Sequence, residues 1–166
     1  MRTKVINSSI DMVPVLRAFD SEVKKNVFDE ISEDWRLVSE ITDKYGEEGR
    51  EALEFFEKIN LVETKWTTPE QGIDGRPQKM YRAYYSTFNI NISCPITEMS
   101  EIFRIVSLDD KEIKKLEDEI EKFIGDEGKS GSTVAEHFKL SLPALKSIMR
   151  RSNKFVYRGM KIEKRK

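Results

Sequence analysis

Cysteine, histidine and glutamine are scarce in this chain of 166 residues. The single cysteine, Cys94, and the single histidine, His137, cannot between them build a disulfide framework or a metal site within one chain. Metal sensing is therefore disfavoured, and no cofactor is expected. Cys94 reads most simply as a small buried residue, an intersubunit disulfide being the rarer alternative. Only two glutamines occur, Gln71 and Gln78, and with so many long charged side chains this points weakly to a heat-adapted source. Long apolar runs are missing, so neither a membrane-spanning nor a secretory segment is expected, and the location is read as cytoplasmic. Also missing are GxxxxGK[ST], GxGxxG, and any serine or cysteine motif with a second histidine to choose from. The chain is therefore not read as an enzyme, and its scattered carboxylates read as solvated surface.

What is present is charge. Charged residues make up 36% and apolar residues 38%, which suits one ordinary domain or two small modules with much solvated surface. The formal net charge of -1 conceals a division. From Lys129 to Lys166 there are 11 Lys+Arg against 2 Asp+Glu, a net of +9, while residues 1–128 carry 18 against 28, a net of -10. A near-neutral total therefore does not argue against nucleic acid. Nor is the basic end a disordered tail, since Leu140, Leu142, Leu145, Ile148, Phe155, Val156, Tyr157 and Ile162 make it too apolar.

Within that basic end, Thr133 to Arg151 has the spacing of a helix-turn-helix. Ala135 is the small close-contact residue of the first helix, Leu140 and Ser141 lie in the turn, and Leu145 and Ile148 share one face of the second helix. Ser141 is placed to cap that helix, and Pro143 fits its first turn. With Leu145, Ile148 and Met149 inward, the periodicity predicts Lys146, Ser147, Arg150 and Arg151 outward. One position departs from the usual pattern: Lys139 stands four residues after the small alanine, where glycine suits a left-handed turn. Lysine there would cost roughly 1 kcal/mol, so a somewhat different turn is expected. A bland amphipathic hairpin has similar apolar spacing, and it is the charge that favours the functional reading.

In chain order, Thr3 to Ser8 reads as a short strand and Ser9 to Phe19 as a helix with Pro14 in its first turn. Asp20 or Ser21 caps a second helix carrying Val23, Val27, Phe28 and Ile31. A third carries Leu37, Val38, Ile41 and Tyr45 and stops at Gly46, and a fourth runs from about Glu48 to Asn60. Strands follow at Leu61 to Trp66 and Lys79 to Tyr85, separated by the turn-rich TTPEQGIDGRPQ. Three helices followed by a two-stranded wing make a winged helix.

Residues 12–85 resemble the winged-helix domain of archaeal regulators similar to the ArsR family, through helix order, the passage FFEKINLVE and the wing sequence GRPQKMYRAYY. The resemblance implies dimeric, promoter-specific DNA binding without catalysis. Regulators of archaellum (motility) genes in methanogens resemble the whole tandem arrangement described below. The chain departs from the family pattern in its presumed recognition helix, where Glu47, Glu48, Glu51, Glu54 and Glu57 outnumber Arg50 and Lys58 and would meet phosphates with excess negative charge. In the wing, Lys65, Arg76, Lys79 and Arg82 remain candidates for backbone contacts.

Phe88, Ile90, Ile92 and Cys94 alternate with polar residues, predicting a half-buried strand that pairs with the amino-terminal strand or with a second subunit. After Pro95 comes a short helix, about Ile96 to Val106. Ser107 with Asp110 then forms a capping sequence for a helix whose stripe of Ile113, Leu116, Ile120, Phe123 and Ile124 packs on the helix-turn-helix. GDEGKSGS reads as a flexible connection, and the apolar runs around Arg158-Gly159 as a hairpin.

The expected fold is mainly α with small β wings (α+β): two tandem winged helix-turn-helix modules, residues 1–95 and 96–166. The expected function is a homodimeric, sequence-specific regulator on promoter DNA. Lys146, Ser147 and Arg150 are assigned to base edges, and Arg151, Lys154, Arg158 and Lys161 to phosphates; Ser141 belongs to the same DNA-facing set. Three alternatives stand beside it. DNA could be read by the first module through Arg76, Lys79 and Arg82; the acidic module could bind partner proteins such as the transcription machinery; or the basic end could bind RNA.

Overall fold

The computed structural model describes residues 2–68, 75–152 and 154–165; most of the first wing turn, residues 69–74, lies outside them. The chain divides into two compact units, one formed by residues 1–6 and 15–90, the other by residues 7–14 and 91–166. Helices with small sheets make it α+β, with a winged-helix arrangement in each unit.

The first unit begins with β1 (Thr3–Ile6), which pairs in parallel with β5 (Thr87–Ile90), Ile6 facing Ile90 in the register. The strand expected over Phe88 to Cys94 thus ends at Ile90. Helix α1 (Ser9–Ala18), whose residues up to Pro14 belong to the second unit and the rest to the first, starts behind Ser8, whose hydroxyl accepts from the Ile10 N–H. Pro14 therefore falls well inside α1, a correction to the first-turn placement, and it removes one helical N–H bond close to the division between the units. Helix α2 (Glu22–Glu33) is capped by Ser21, which accepts from Lys24 N at 3.2 Å.

A short strand β2 (Arg36–Leu37) leads into α3 (Val38–Lys58), which is two helical arms, 38–45 and 47–58, joined at Gly46. Gly46 has φ 66° and ψ -154°, a conformation glycine alone adopts without strain, so the helix break expected there is present. Leu53 and Phe56 of the second arm pack with Val27, Ile31 and Ile41 in the core. The antiparallel sheet β2-β4-β3, built with β3 (Val62–Trp66) and β4 (Lys79–Ala83), completes the unit and closes the core with Tyr81.

The second unit contains α4 (Ile96–Ser107) and α5 (Asp110–Ile124). The cap of α5 is Asp109, reciprocally bonded with Glu112, two residues beyond the Ser107–Asp110 pair that the sequence suggested. Ser107 instead donates to Phe103 O inside α4. Gly125 ends α5 at φ 62°. The stretch expected to be a flexible connection includes β6 (Lys129–Ser130), which pairs with β8 (Lys161–Lys164) and leads directly into α6 (Gly131–Phe138). Helix α7 (Leu142–Arg151) and the hairpin of β7 (Phe155–Arg158) with β8 follow. Ile105, Ile120, Ile124, Leu145, Ile148, Phe155 and Ile162 form the core, so α4 and α5 are part of this unit's packing.

Candidate nucleic-acid interface

The helix-turn-helix of the second unit is α6, the turn and α7. Ser130 caps α6 by accepting from Thr133 N at 3.2 Å. Lys139 ends it in the left-handed conformation, φ 53° and ψ 42°, and Leu140 N donates to Ala135 O at 2.9 Å. The turn is thus the left-handed one that glycine usually supplies, and the lysine accepts its strain. Ser141 caps α7 by accepting from Ala144 N, while its own hydroxyl donates to Glu101. Ser141 is thus the cap that the sequence suggested, and its hydroxyl is engaged within the unit as both donor and acceptor.

Two assignments are overturned by packing. Ser147 is fully buried and donates to Pro143 O at 2.8 Å, so it does not face a groove. The Arg151 side chain is only 4% exposed; its guanidinium donates to Ile105 O at 2.8 Å and pairs with Asp110. The cause is α4, which packs along α7 in addition to α6 and so widens the buried arc beyond the single stripe of Leu145 and Ile148. A periodicity argument that supplies only one packing partner cannot predict that second neighbour.

What remains outward on α7 is Lys146 and Arg150. Arg150 reaches Asp11 of α1, within the same unit, at 3.3 Å, and 60% of its side chain is exposed. On the hairpin, Arg158 is exposed with a long 3.5 Å pairing to Glu163, and Lys161 is exposed. Lys154 lies between Asp118, at 2.6 Å, and Glu121; the Asp118 hydrogen bond raises the lysine pKa and, reciprocally, lowers that of the aspartate. It is drawn toward α5 rather than free for a phosphate. Lys139 in the turn and Arg165 beyond β8 are exposed too. Neither was among the expected contacts, although the basic run ending the sequence was a signal for Arg165.

The corresponding surface of the first unit is acidic. Glu47, Glu48, Glu51 and Glu54 are exposed on the second arm of α3, and Arg50 is held between Glu47 and Glu54. Burial alone would raise the Glu57 pKa, but hydrogen bonds from Lys79 at 2.6 Å and Tyr81 at 2.8 Å outweigh it and hold the carboxyl below its usual range. Arg82 donates to Glu63 at 2.7 Å and lies 4.8 Å from the Trp35 ring, over which Lys65 also sits. Lys79 and Arg82 are therefore engaged by carboxylates of the same unit; of the four expected wing contacts, Lys65 and Arg76 are exposed.

The family model of the ArsR transcriptional regulator matches residues 6–166, through both units. The chain belongs to that family. The ArsR assignment covers far more than the 12–85 stretch that carried the resemblance, and it makes the protein a transcriptional regulator rather than a member of an enzyme family. No curated protein and no solved structure matches the chain. Among the described residues, no group of three or more histidine, cysteine or carboxylate side chains could hold a metal, and no helix is long and apolar enough to cross a membrane.

Proposed function

We propose that this ArsR-family protein is a sequence-specific regulator that grips promoter DNA mainly through α7 and the β7–β8 hairpin of its second unit. One contrast carries the reading: the exposed face of α7 presents Lys146 and Arg150, whereas the equivalent helix of the first unit presents Glu47, Glu48, Glu51 and Glu54. Phosphates attract the first surface and repel the second. Lys146 and Arg150 serve at base edges, and Lys139, Arg158, Lys161 and Arg165 hold the backbone. Arg76 is the auxiliary contact of the first unit. The protein acts in the cytoplasm as a homodimer on a partly symmetric site, as the family resemblance implies. The narrowest set of targets consistent with that resemblance is archaeal motility genes.

Selection of sites from a random duplex pool, followed by footprinting, tests this reading. One enriched, partly symmetric motif is expected, lost when Lys146 and Arg150 are both replaced by alanine. Recovery of no motif would contradict it.

The exposed glutamates of α3 favour a second role for the first unit, as a surface for a basic partner protein of the transcription machinery. Co-purification that survives Lys146→Ala but fails on Glu48→Lys with Glu51→Lys would support it.

A further inference from the structure

Beside the DNA-facing residues, the second unit contains a groove of about 690 Å³, lined by α7, the β7–β8 hairpin and the starts of α1 and α6. That volume lies within the roughly 300–1,000 Å³ usual for small-molecule sites, which combine apolar walls with a few convergent polar groups. Here the walls are Leu142, Met149, Phe155 and Met160, and the charged groups are Lys146, Arg150 and Arg165 against one carboxylate, Asp11. Leu142 and Met160 are 47% and 83% exposed and both line this groove. Tyr157, which also lines the groove, has a buried hydroxyl with no hydrogen-bond partner among the described residues; it lies 2.8 Å from where a Cβ on Gly131 would be. Glycine at 131 is what leaves room for that ring.

We propose that this groove is an effector site for an amphipathic anion, an apolar body carrying one carboxylate or similar head group. The apolar body lies against Leu142, Met149, Phe155 and Met160. The head group meets Lys146 and Arg165 and competes with Asp11 for Arg150. Bare phosphates would satisfy the cations and leave the apolar walls in water, and a neutral lipid would do the reverse; only a molecule with both parts matches the lining. Because the ligand takes up Lys146 and Arg150, it binds in competition with DNA. That consequence rests on the proposed reading of α7, whereas the site itself does not.

Isothermal titration of the full chain, without DNA, tests the site, with decanoate as the aliphatic probe, 8-anilinonaphthalene-1-sulfonate as the aromatic one and decyltrimethylammonium as the cation of matched length. We expect one anion per chain, with the cation bound about tenfold more weakly or worse. Lys146→Glu combined with Arg165→Glu, both at exposed positions, should lower anion affinity by about tenfold or more, and Met149→Ser should lower it independently of charge. No binding of either anion, equal affinity for the cation, or affinity unmoved by the double reversal would overturn the site. DNA release is measured separately on the motif recovered by selection. Anion binding with DNA retained at saturation would overturn the competition while leaving the titration result intact, and absence of any motif would count against the DNA reading alone.

Discussion

In the first unit the helix-turn-helix bends at Gly46, φ 66°, and its second arm shows solvent a row of glutamates; in the second it bends at Lys139, φ 53°, and α7 shows lysine and arginine. Both bury an apolar stripe, Ile41, Leu53 and Phe56 in one and Val134, Leu145 and Ile148 in the other. Each turn uses a residue at positive φ, with different ψ, -154° at Gly46 and 42° at Lys139, while the surface has been given opposite charge. The fold of each unit is fixed by what it buries, and its activity by what it leaves out. A family assignment that spans both units identifies a regulator but does not choose between its two recognition helices.

The largest expected effect breaks the second element outright. Leu145 is fully buried, so Leu145→Ala should destabilise the second unit by about 2–5 kcal/mol, read from chemical denaturation. Since the two cores are composed of different residues, the Trp35 fluorescence transition in the first unit should move less than a probe placed on α7. Equal shifts would mean that the units unfold together.

Next come the charges that separate the two surfaces. Arg150→Ala should weaken binding to the selected motif by about 1–3 kcal/mol and relax preference at one or two base pairs, if it makes a bidentate base contact. An equal loss on random DNA would make it a phosphate anchor instead. Asp11→Asn removes the carboxylate paired with Arg150 and should tighten DNA binding, with a steeper salt dependence than the wild type.

Smaller effects sharpen the comparison of the turns. Lys139→Gly gives the second turn the residue that the first already has, and should stabilise the unit by about 1 kcal/mol, since lysine carries a left-handed penalty that glycine does not. Smallest of all is the expected change in base preference for Ser147→Ala. A residue fully buried and bonded to Pro143 O reads no base, so the selected motif should be unchanged even if stability falls by about 1 kcal/mol.

Much of this architecture was legible in the residues. Ser21, Ser141, Gly46 and Gly125 marked helix ends because each carries a local chemical cause, a hydroxyl acceptor or a permitted positive φ. The tandem winged helices followed from the order of such marks. Ser147 and Arg151 were misplaced because their environment comes from α4, some forty residues earlier, and helical periodicity says nothing about how many neighbours a helix has. The same holds for Asp11 and Arg150, and for Lys79 with Glu57, which are brought together only by tertiary structure. Lys139 shows the opposite failure: its local cost was recognised, but the surrounding packing holds it in the left-handed turn regardless. Removing the basic segment after Gly128 would strip Ile105, Ile120 and Ile124 of their packing partners, so the two surfaces are better compared in the full chain.

The most direct measurement is fluorescence anisotropy of the full chain on its selected duplex, comparing Lys146→Ala with Arg150→Ala against Lys65→Ala with Arg76→Ala. The first pair should reduce affinity by at least about a hundredfold and relax base preference, while the dependence of log affinity on log salt, set by the phosphate contacts, should change little. The second pair should leave affinity within a fewfold of wild type. A large loss from the second pair with little from the first would contradict the assignment and place DNA reading on the first unit, its row of glutamates notwithstanding.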